Sequence, residues 1–139
     1  MRIKIQQFLF GKAHSWADVG KFIGREFLRQ NHDVEFISTD GFNKIYVPQF
    51  VAPHVKNKPS GAYDLQLSYT AMGNFPYYLG HGKKNRFAIY NYDGAILPIH
   101  WVKYCQFVDR LLPSSEYAKQ IFLDAKVPED KLTVVPHGV

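Results

Sequence analysis

Two short stretches of this sequence gather residue types that could do chemistry. Gly11-Lys12-Ala13-His14-Ser15 lies between an apolar run and a helical pattern. A helix leaves its first backbone N–H groups without intrahelical partners, so a loop of this kind at a helix start favours an anion. Asn91-Tyr92-Asp93-Gly94 closes a second apolar run, and a carboxylate there can orient a hydroxyl or take its proton. Plainer readings stand beside both: His14 as a helix-start or surface histidine, and Asp93-Gly94 as a strand-ending turn. His100 follows seven residues after Asp93. The dinucleotide fingerprint G-x-G-x-x-G is not met, since Gly11 is the one glycine in its loop. A phosphate loop of the Walker type is absent too, because Ala13 follows Gly11-Lys12 with no glycine-rich run ahead. The histidines at 14, 32, 54, 81, 100 and 137 lack ligand spacing, and the single cysteine, Cys105, allows neither an intrachain disulfide nor a cysteine-rich metal site. We therefore expect neither metal nor cofactor.

Those residues need a scaffold, and 139 residues suffice for one domain with a real core. The net charge of +5 suits nucleotide phosphates or an acidic lipid surface, or serves solubility alone. Basic residues are scattered apart from Lys83, Lys84 and Arg86, which form a solvated turn or an anion-facing patch. With no helix dense in Lys and Arg and no zinc-finger spacing, nucleic acid is not an expected partner. No stretch approaches 18 apolar residues, and Met1-Arg2-Ile3-Lys4-Ile5 runs directly into a strand pattern. The expectation is a cytoplasmic protein, with peripheral membrane contact left open.

The elements alternate. Residues 2–10 read as a strand, central because its end turns apolar on both faces. Ser15–Gln30 reads as a helix with Trp16, Val19, Ile23 and Phe27 on one side, Phe22 beside them, and Gly20 and Gly24 allowing close packing on a sheet. Val34–Ser38 is the next strand. Residues 44–51 are an irregular strand or a packed segment, kept from a central place by Pro48. A loop at 57–62, a strand at 63–69, a short helix near 71–80, a strand at 87–92 and a helix at 99–107 follow. A strand end at 110–113 leads into a helix capped by Ser114 or Ser115, whose stripe is Ala118, Ile121, Phe122 and Ala125. Leu132–Val135 reads as a last strand, stopped by Pro136. About six strands with helices between them predict a doubly wound α/β domain with a mostly parallel sheet and helices on both faces. In such a sheet ligands sit outside the carboxyl ends of the strands, which is where both chemical stretches fall.

The closing stretch, Val108-Asp-Arg-Leu-Leu-Pro-Ser-Ser-Glu-Tyr-Ala-Lys-Gln120 and then Val127-Pro-Glu-Asp-Lys-Leu-Thr-Val-Val-Pro-His-Gly-Val139, resembles the end of the N-terminal domain of retaining GT-B glycosyltransferases of group 1, family 4. The resemblance is carried by the last 31 residues; the opening strand, loop and helix agree in order, and residues 39–86 add nearly nothing. It implies a Rossmann-like, acceptor-side half spanning residues 1–139, to be completed by a C-terminal nucleotide-sugar domain outside this chain. It implies transfer of a sugar from a nucleoside-diphosphate sugar to a hydroxyl of a carbohydrate, lipid-linked or small-molecule acceptor, with retention. Gly11, Lys12, His14 and Ser15 then match the loop close to the donor phosphates and sugar, although members often carry two adjacent glycines. Asp93 is the candidate to orient the acceptor hydroxyl or take its proton. Asn91 and Tyr92 stand where members often have a histidine, and with His100 they are candidates for the acceptor side. The missing histidine favours a different reading, a binding or interaction domain that kept the scaffold and lost the chemistry. Half of a GT-B-like sugar-nucleotide epimerase is a further alternative.

Overall fold

A computed structural model describes residues 1–7, 9, 15–39, 47–78, 85–90 and 94–137. Six parallel strands form one sheet in the order β3-β2-β1-β4-β5-β6. They are β1 (Arg2–Gln7), β2 (Asp33–Ser38), β3 (Val55–Lys56), β4 (Leu65–Tyr69), β5 (Arg86–Tyr90) and β6 (Arg110–Pro113). This is the order of the doubly wound, Rossmann-like fold. β1 is interior, with Ile5 opposite Phe36 on one side and Leu67 on the other. The helices are α1 (Ser15–Arg29), α2 (Phe75–Tyr78), α3 (Ile99–Val102) and α4 (Glu116–Asp124), with short 3-10 turns at Ala52–His54, Met72–Asn74, Lys103–Phe107 and Glu129–Lys131.

Alternation along each strand sends side chains to two cores. Ile3 and Ile5, Val34 and Phe36, Leu67 and Tyr69, and Ile89 share a core with Val19, Ile23 and Phe27 of α1. Ala88, Tyr90 and Leu111 point the other way, to Met72, Phe75, Ile121 and Phe122. The two expected glycines do bring α1 close. A Cβ at Gly24 would stand 2.1 Å from the Phe36 ring, and one at Gly20 would stand 1.4 Å from the Gln7 side-chain oxygen. Phe22, expected beside that stripe, is 50% exposed.

The terminal unit folds as read, with one correction. Ser115 caps α4 by accepting a hydrogen bond from the Ala118 N–H at 3.1 Å, and Ala118, Ile121 and Phe122 are buried. Leu132–Val135, however, is not a strand. Its contact with β6 is a single parallel bridge, Leu111 to Leu132, with the Thr133 N–H donating to the Leu111 carbonyl and the Val135 N–H to that of Pro113. Pro113 and Pro136 each lack a donor, which stops the ladder from propagating. The sixth strand is instead β3, two residues at the opposite edge, too short to carry a period-two pattern in the sequence.

Gly24→Ala gains about 1 kcal/mol of helix propensity but drives a methyl into the buried Phe36 ring. We expect a net loss of stability, with overpacking costing about 1–3 kcal/mol, read from urea melts. Gly73→Ala is the control: nothing lies within 4 Å of a Cβ there, so its midpoint should stay within about 0.5 kcal/mol of the parent.

At the amino edge, Glu35 ties the long loop before β4 to the sheet. It accepts hydrogen bonds from Arg2 Nη2 at 2.7 Å, from the Tyr63 hydroxyl at 2.6 Å and from Ser60 Oγ. Burial pushes its carboxyl up, but the bonds from Ser60, Tyr63 and Arg2 outweigh this and hold it down at about 2, against 4.5 unfolded. A lowered carboxyl adds stability that is full above the unfolded value and drains away as pH falls toward the folded one. Stability should therefore decline between about pH 5 and pH 2. Glu35→Gln should flatten that decline and cost about 2–4 kcal/mol at neutral pH, measured by denaturant melts across the range.

Candidate functional site

The crossovers leaving β1 and β4 pack on opposite faces, so their carboxyl ends frame the crevice where sheets of this class take ligands. Gln7 and Tyr69 end the two strands in register, and both are buried. The Thr39 N–H donates to the Gln7 carbonyl at 2.9 Å, and the Thr39 and Thr70 hydroxyls meet at 3.3 Å beyond the end of β1. Residues 133–137 leave β6 and return over this edge, and the His137 ring meets Tyr69 edge-on with centroids 6.0 Å apart. Burial pushes the Tyr69 hydroxyl up to about 12, which keeps it protonated at neutral pH. Among the described residues the crevice offers the uncharged hydrogen-bonding groups of Gln7, Thr39, Tyr69 and Thr70, suited to hydroxyls or amides, with the His137 ring beside them.

Below this crevice the seam between β1 and β4 is polar on the face away from α1. Lys4 lies opposite Gln66 and Gln6 opposite Ser68, all of them fully buried. Gln6 Nε2 donates to Ser68 Oγ at 2.7 Å. Burial lowers the Lys4 amine to about 8, and the Tyr63 ring lies 5.3 Å from its nitrogen. Among the described residues the side-chain nitrogen and oxygen of Gln66 have no hydrogen-bond partner. Central strands of a parallel sheet are ordinarily apolar on both faces, so this seam costs stability. Gln66→Met removes a desolvated amide at nearly constant volume and should raise the melting temperature by a few degrees, seen by calorimetry; a fall would show that the amide is satisfied in solution.

A cavity of about 630 Å³ lies between α1 and the returning C-terminal segment. Val19, Phe22 and Ile23 form one wall, Val135 and Pro136 the other, and Ile89 of β5 is on the floor. His137 lines the cavity as well and meets the Tyr69 ring edge-on.

Of the residues expected from the sequence, Gly11, Lys12, His14, Asn91, Tyr92 and Asp93 lie outside the described residues. The strands before them, β1 and β5, both end at the carboxyl edge, and Ser15 opens α1. His100 is exposed on α3 and packs edge-on against Trp101 at 6.1 Å. Trp101 in turn meets Tyr90 at 5.9 Å in the core away from α1. No hydrogen bond or ring contact among the described residues joins His100 to Gln7, Tyr69 or His137. Cys105 is buried, and burial pushes its thiol up to about 11, so it is no nucleophile. Sequence reading overlooked Gln7, Thr39, Tyr69 and Thr70, which are separated in the chain and meet only when β1, β2 and β4 pair. The polar seam did leave a trace, in the alternation Ile3-Lys4-Ile5-Gln6 and Leu65-Gln66-Leu67-Ser68.

No protein-family model matches this chain, and neither does any curated protein or solved structure. The fold shows a Rossmann-like α/β domain. No helix among the described residues is long and apolar enough to cross a membrane.

Proposed function

We propose that this chain is the acceptor-side half of a retaining glycosyltransferase that moves a sugar from a nucleoside-diphosphate sugar to an acceptor hydroxyl. The reading begins with the Pro113-Ser-Ser-Glu116 and Val135-Pro-His-Gly138 stretches. One observation supports it further: residues 135–137 of the second stretch set His137 against Tyr69 at the carboxyl edge, where ligands bind in this class of sheet. Gln7, Tyr69, Thr39 and Thr70 are neutral hydrogen-bonding groups, suited to a hydroxylated acceptor. Donor phosphates would sit near Gly11, Lys12, His14 and Ser15, and Asp93 would orient the acceptor hydroxyl or receive its proton. Asn91, Tyr92 and His100 would complete the acceptor side. A second reading, a non-catalytic binding domain, draws on the same crevice, whose described side chains lack a carboxylate.

The test is to follow the native reading frame beyond Val139 and screen its product for release of UDP, GDP or ADP from nucleotide-sugars. A second α/β domain and donor-dependent release are expected, with no measurable transfer by residues 1–139 alone. In the complete enzyme Asp93→Asn should lower kcat by about 10²–10⁴-fold with KM little changed. Transfer by this chain alone, or a frame that encodes no such domain, would overturn the proposal.

A further inference from the structure

We draw no further inference here: the strongest candidate, the buried polar seam between β1 and β4 where both side-chain polar atoms of Gln66 have no hydrogen-bond partner among the described residues, carries nothing, because nothing in the structure shows a group that would reach and pair with that amide.

Discussion

β1 hydrogen-bonds on both sides, to β2 through a helical crossover and to β4 from more than fifty residues away in the chain. That second pairing is the constraint on which the rest depends. It joins the two halves of the sheet, sends their crossovers to opposite faces and so opens a crevice at the shared carboxyl edge. It also aligns Lys4 with Gln66 and Gln6 with Ser68, which makes a buried polar seam at the centre of the sheet. The same register sets Gln7 beside Tyr69 at the mouth.

The seam and the amino-edge cluster treat buried polarity in opposite ways. Glu35 is surrounded by three donors from two separate segments, so its charge survives burial and pins the loop that contains Ser60 and Tyr63. Gln66 has no such company. An amide buried without a partner at a central sheet position gives up stability.

The carboxyl edge is built from parts that do not belong to one element. Gly20 and Gly24 bring α1 close enough for Gln7 to lie against the helix, while the C-terminal segment, kept from extending its ladder by Pro113 of β6 and its own Pro136, brings His137 to Tyr69. Had Leu132–Val135 continued as a seventh strand, the sheet would have grown outward and His137 would have been carried away from the crevice. The failure of that ladder is what creates a wall for the apolar groove opposite Val19, Phe22 and Ile23.

Local periodicity and punctuation were legible in the chain. The stripe Val19, Ile23, Phe27 marked the buried side of α1, Ser114-Ser115 marked the start of α4, and the runs at 2–10, 34–38, 63–69, 87–92 and 110–113 marked strands to within a few residues of their ends, because helix and strand repeats are written over a few neighbouring residues. The doubly wound class followed from their alternation. Strand order, the pairing of β1 with β4, the two-residue edge strand Val55–Lys56 and the demotion of Leu132–Val135 were decided only in three dimensions, since each depends on contacts between distant segments. The same holds for the site. Gly11, Lys12, His14 and Asp93 drew notice because chemistry-bearing residues cluster locally in loops. Gln7, Thr39, Tyr69, Thr70 and His137 look ordinary one at a time, and only the parallel register and the returning C-terminal segment make them neighbours.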